Sequence, residues 1–118
     1  MNKVNGTPDV VAKDIEFLFQ ELSAKMQKKA KEYSRNNDAF HNFNQGTQRT
    51  GTDPRLVLYG FMLKQLISID DIFADLQKGI ETPIAVIDEK VGDVMIYLGL
   101  YHTMSKNIAR DRSEELPF

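Results

Sequence analysis

The 118-residue chain contains no cysteine, and only four prolines and seven glycines. The absence of cysteine excludes a disulfide framework and any thiolate metal site, and it fits a reducing compartment. Charge of one sign is also lacking: 15 basic residues face 17 acidic ones, for a formal net charge of −2. A chain so nearly neutral has no basic field to hold the backbone of a long nucleic acid. No apolar run approaches the ~20 residues that span a bilayer. Residues 1–6 contain no apolar signal-peptide core. These absences predict a soluble, cytoplasmic protein with no membrane partner, and they say nothing about its chemistry.

What is present is ordinary for a globular chain: 42% hydrophobic and 27% charged residues. The length fits one domain able to bury roughly 65–70% of the surface of its unfolded form. Strand-like alternation is absent, so the expected class is all-α, with three long helices and one short one. We expect a flexible N-terminus over 1–7, a single domain over 8–109 and a C-terminal tail over 110–118.

The helix starts are signalled three times. Thr7-Pro8, Asp53-Pro54 and Thr82-Pro83 each place a capping oxygen before a proline. The oxygen accepts from an orphan amide of the first turn, and proline at the first position loses nothing there. Long helices are therefore expected at about 8–33, 54–78 and 83–109. Gly79 suits a left-handed end to the second long helix. The first carries Val11, Ile15, Leu18, Leu22 and Met26 as one apolar stripe.

Between the first two long helices, residues 35–52 are polar. Asp38 is expected to cap a helix of about ten residues that Phe40 and Phe43 pin to the core, with Gly46 and Gly51 loosening its far end. A polar stretch this long is either a plain connector or a segment over a ligand.

The third long helix is apolar on more than one side. Ile87, Val91, Val94 and Leu98 are expected to form its principal core face, with Val86, Ile96 and Leu100 pointing roughly the opposite way. The second side would be covered by the rest of the domain or by another subunit. Glu89, Asp93 and Tyr97 step along that second side. Carboxylates in an apolar stripe need a lysine, an arginine or a divalent cation. On the second long helix, Leu58, Met62, Ile69, Phe73 and Leu76 are expected to face the core. Lys64, Ser68, Asp71 and Asp75 run along its other side. If these two helices pair, the stripes approach and Asp71, Asp75, Glu89 and Asp93 form an all-oxygen cluster suited to Mg²⁺ or Mn²⁺. His41 lies in the polar segment beside Asn42, and His102 falls near an apolar face. No zinc-protease helix, phosphate loop, dinucleotide fingerprint or nucleophile elbow is present.

Lys31-Glu32-Tyr33, Asp38-Ala39-Phe40-His41-Asn42-Phe43, Lys64, Asp88-Glu89 and Asp93-Val94-Met95-Ile96-Tyr97 stand in that order. Together they resemble the nucleotide modification associated domain 1 family, which is common in phages and looks like an outlying member of the MazG-like all-α nucleoside triphosphate pyrophosphohydrolases. The resemblance covers about residues 28–103. It implies a MazG-like bundle completed by homo-oligomerisation and a nucleotide-handling role. In that superfamily Mg²⁺ is held by Glu-x-x-Glu and Glu-x-x-Asp, and a bound water cleaves between the α- and β-phosphates. The metal neutralises phosphate and activates the water, so no protein nucleophile is needed. Asp71 matches the last acid of the first motif and Asp93 that of the second. Ser68 and Lys90 replace the leading glutamates, with Asp70 and Glu89 one residue away. The implied metal ligands are Asp71, Glu89 and Asp93. Lys64 would contact phosphate, and His41, Asn42 and Tyr97 would contact the rest of the nucleotide. The alternatives are a non-catalytic protein that sequesters a host nucleotide signal and a helical interaction protein with no ligand.

Overall fold

The computed structural model describes residues 3–112, so residues 1–2 and 113–118 of the expected termini lie outside the described residues. The fold is all-α: α1 (Pro8–Tyr33), α2 (His41–Thr50), α3 (Pro54–Gln77) and α4 (Ile84–Asp111). α4 runs two residues past its expected end.

Two of the three proline-marked starts are capped as expected. The Thr7 hydroxyl accepts from Val10 N–H at 3.4 Å, and Asp53 Oδ1 accepts from Arg55 N–H at 2.9 Å. The third is not: α4 starts one residue later, with Pro83 at the cap position and no side-chain hydrogen bond. Thr82 is therefore not the cap. Gly79 adopts φ of 79° just past α3, the left-handed conformation expected of it.

The polar segment is more ordered than its composition suggested. Arg35 and Asp38 exchange backbone hydrogen bonds of 3.3 and 3.0 Å around Asn36 and Asn37, both at positive φ. Asparagine tolerates that region, so an Asn-Asn pair suits a tight two-residue turn. Asp38 is not the helix cap; Phe40 occupies that position. Instead the Asp38 carboxylate accepts from Phe40 N–H at 2.9 Å and from the Asn44 amide at 3.1 Å, which braces the turn against α2. Gly46 does not loosen α2. A Cβ built there would stand 2.6 Å from Val57 Cγ1, so the glycine lets α2 lie close on α3. Gly51, at φ 70°, ends the helix.

α3 and α4 form an antiparallel hairpin, the most extensive packing in the molecule. α2 lies on α3 through Phe43, whose ring stands 5.4 Å from that of Phe61. α1 crosses α4 where Leu22 meets Gly92; a Cβ on Gly92 would come within 3.2 Å of Leu22 Cδ2. The core is Leu22, Phe43, Leu58, Ile96, Leu100 and Met104, with Leu18, Met26, Phe40, Val57, Met95, Tyr97 and Ile108 around it.

The two expected faces of α4 are not cleanly separated: Ile87, Val91 and Val94 of the first are only half-buried. Ile96 and Leu100 are buried in the chain's own core and are not a subunit face, whereas Leu98 is half exposed and Val86 is exposed. Apolar periodicity is equal on both sides of this helix. The side chosen is the one where glycine lets α1 approach. On α3, Leu58 and Met62 are buried as expected, but Phe73 and Leu76 are exposed; on α1, Val11 and Ile15 are exposed. Val11 and Ile15 precede the α1–α4 crossing, whereas Phe73 and Leu76 lie off the packed side of the hairpin, where Ile69 and Ile72 are half-buried. Among the described residues, seven hydrophobic side chains are buried and eighteen large ones are exposed.

Candidate functional site

α1 presents lysines at 25, 28, 29 and 31, and the helix crossing selects one of them. Lys29 Nζ reaches Asp93 Oδ1 at 3.3 Å, with side-chain exposures of 33% and 19%. Asp93 sits beside Gly92 on the face of α4 that α1 crosses, so its carboxylate needs a positive partner, and the partner is Lys29. Lys64 is exposed on α3, and Ser68 Oγ donates back to the Lys64 carbonyl at 3.1 Å, along its own helix.

Asp71 and Glu89 are exposed, and Asp75 is half-buried. The two acidic stripes do not merge. Among the described residues no three histidine, aspartate or glutamate side chains are placed to hold a metal ion. Asp93, one of the implied Mg²⁺ ligands, has a cationic partner within the chain.

The nucleotide-contact candidates are spread along the fold. His41 and Asn42 are half-buried in the first turn of α2, where no side chain caps the helix. Tyr97 packs against the core. A shallow hollow of about 220 Å³ is lined by Ala30, Lys31, Ser34, Asn37 and Ala39. It joins the chain neighbours of Lys29 to those of His41, and Lys64 is not among its lining residues.

Two features were missed in the sequence. Asp53 and Arg55 form a pair two residues apart in the first turn of α3, with Arg55 Nε 3.0 Å from Asp53 Oδ1. The hydrogen bonds from the Arg55 side chain and backbone lower the Asp53 pKa to about 2, against an ordinary 3.8. The pair borders an open groove of about 500 Å³ between α3 and α4, with Leu56, Tyr59, Met62, Leu98 and Tyr101 along it. The signal was available: Leu56 and Tyr59 fall off the core side of α3 by helical spacing. The second feature is Gln65 Oε1, buried on α3 without a hydrogen-bond partner.

No family model, curated protein or solved structure matches the chain. No helix among the described residues is long and apolar enough to cross a membrane.

Proposed function

We propose that the protein binds a nucleoside or deoxynucleoside triphosphate, or a signal derived from one, and sequesters it without cleaving it. The observation that carries this is the Lys29–Asp93 pair. The acid that the resemblance makes a metal ligand is matched with an ammonium. A lysine held at a partly buried crossing is a ready phosphate contact, and Asp93 keeps it there until a polyphosphate competes for it. The hollow lined by Lys31, Asn37 and Ala39 ends two residues along the chain from His41, and the side chains of His41 and Asn42 have the donors and acceptors to meet a base or sugar. The motif order from Lys31 to Tyr97 supports a nucleotide over other anions. In this proposal the ligand sits near the α1–α2 junction rather than at Asp71 and Lys64.

Equilibrium dialysis with ribo- and deoxyribonucleoside triphosphates tests it, with and without Mg²⁺, alongside chromatography of the nucleotide afterwards. The expected result is saturable binding with the nucleotide recovered intact, weakened at least tenfold by Lys29→Met. Absence of binding to every nucleotide ends the proposal. Release of pyrophosphate only with Mg²⁺ would instead favour the pyrophosphohydrolase implied by the family resemblance, with Asp71, Glu89 and Asp93 regrouping around the ion.

A further inference from the structure

The groove between α3 and α4 has an apolar bed and one polar end. Leu58 and Met62 are buried at its base, while Leu56, Tyr59, Leu98 and Tyr101 are exposed along it. Asp53 and Arg55 stand where α3 begins. An apolar hollow of about 500 Å³ with its polar groups gathered at one end suits an occupant that is apolar over part of its length and charged at one end.

The end of α4 leads to this groove. Leu98, Tyr101, Ser105, Ile108 and Arg112 follow one another at spacings of three, four, three and four, which places them on one side of the helix. The Asp53 carboxyl is held low chiefly by its hydrogen bonds from Arg55, and the charge of Arg112 adds to the effect. Arg112 therefore stands near the polar end of the groove.

Ser113-Glu114-Glu115-Leu116-Pro117-Phe118 come next in the chain. They carry two acids, no base, and a large apolar side chain on either side of a proline. Pro117 disfavours helix at Leu116 and biases it toward extended backbone. Tyr101 lies eleven residues before Arg112, or ~16 Å along the helix. Six extended residues span up to ~20 Å. The segment is thus long enough to return to Tyr101 and Leu56.

Charge agrees with length. Arg55 gives Nε and Nη2 to Asp53, and its Nη1 has no partner among the described residues. With Arg112, this end sets two cations against one carboxylate, the complement of Glu114 and Glu115. A tether also gives a segment of the same chain a high effective concentration, which a separate partner has to overcome.

We propose that residues 113–118 fold back on α4 and seat Leu116 and Phe118 against Leu56, Tyr59 and Tyr101, with Glu114 and Glu115 toward Arg55 and Arg112. The groove is then closed by the chain itself, and any other occupant enters only by displacing the segment. None of these residues belongs to the proposed nucleotide site.

The absence of cysteine makes the test direct. Leu56→Cys combined with Leu116→Cys is expected to close a disulfide within one chain at least tenfold faster than Thr103→Cys combined with Leu116→Cys. Thr103 is exposed at a similar distance from Arg112 but on the other side of α4. A segment with no seat in the groove would therefore reach both positions alike. Separately, Phe118→Ser is expected to raise the fluorescence of the apolar dye 1-anilinonaphthalene-8-sulfonate several-fold, with unchanged helical circular dichroism. Equal closure rates overturn the proposal. So does a bond that joins two chains instead of closing within one, which would make a second copy the occupant. Unchanged dye fluorescence in Phe118→Ser overturns it as well.

Discussion

The ammonium of Lys29 on α1 stands 3.3 Å from the carboxylate of Asp93 on α4, 64 positions away in the chain. Both side chains are partly buried, so the pair lies between an exposed ion pair, worth under about 1 kcal/mol, and a buried one, whose breaking costs ~3–5 kcal/mol. Asp93→Asn in chelator is expected to destabilise the protein by about 1–2 kcal/mol, seen as a melting temperature several degrees lower. A double-mutant cycle with Lys29→Met isolates the coupling. A rise in melting temperature for Asp93→Asn would mean that the carboxylate is repelled rather than paired in the native protein.

Gly46→Ala sets two effects against each other. Alanine favours a helix interior by about 1 kcal/mol over glycine. Its methyl would lie 2.6 Å from Val57 Cγ1, and valine, branched at Cβ, has little rotamer freedom with which to withdraw. Overpacking of this kind costs ~1–3 kcal/mol, so the net change expected in urea denaturation is a loss of about 1 kcal/mol. Adding Val57→Ala should recover part of that loss. Equal denaturation of Gly46→Ala and the parent would show that α2 can slide outward freely.

Acid should act on the start of α3. The Asp53 pKa falls to about 2 in the folded chain from an ordinary 3.8. A depressed carboxylate gives its full stabilisation above the unfolded value and loses it as pH falls through the folded one. The window is therefore pH 4 to 2. Asp53 and Arg55 are each about one-third exposed, so the contribution is small and weakens with salt. Asp53→Asn should melt less differently between pH 5 and pH 2.5 than the parent does. An identical acid slope in both proteins would refute the assignment.

Gln65 Oε1 is buried without a partner, and an unsatisfied acceptor costs roughly 1–3 kcal/mol. Gln65→Met keeps the side-chain length and removes the polar group. The expected result is a protein more stable by about 1 kcal/mol in chemical denaturation. A clear loss of stability would mean that the amide is satisfied in the native assembly.

The helix starts were legible because their determinants are adjacent in the chain. Thr7-Pro8 and Asp53-Pro54 need no tertiary partner to mark an end. Thr82-Pro83 marked the right place but assigned the cap one residue early. The buried side of α4 was not legible from its apolar residues, because Ile87, Val91, Val94 and Leu98 compete with Ile96 and Leu100 on equal terms. Gly92 was the discriminating residue, and its meaning depends on where α1 crosses. The same holds for the site. The need of Asp93 for a cation could be deduced from its neighbours. That the cation is Lys29, not Lys64, depends on a crossing between elements 64 residues apart. The Asn36-Asn37 turn was legible in principle, since paired residues tolerant of positive φ are a hairpin signal.

α1 rests on the remainder of the chain at one crossing, and residues 8–17 are exposed throughout. α2, α3 and α4 follow one another through short connections, so their mutual contacts close small loops. The α1–α4 crossing closes a far larger one and gains little packing in return. The order of assembly follows: the α2–α4 unit condenses first, and α1 docks onto a surface already formed. Leu22→Ala should then speed unfolding and leave the refolding rate nearly untouched, the signature of a contact absent from the transition state. In stopped-flow denaturant jumps, a slowed refolding arm would instead place α1 in the nucleus. On this order α1 is expected to be the first element to leave when the protein comes apart, and a ligand held through Lys29 would leave with it.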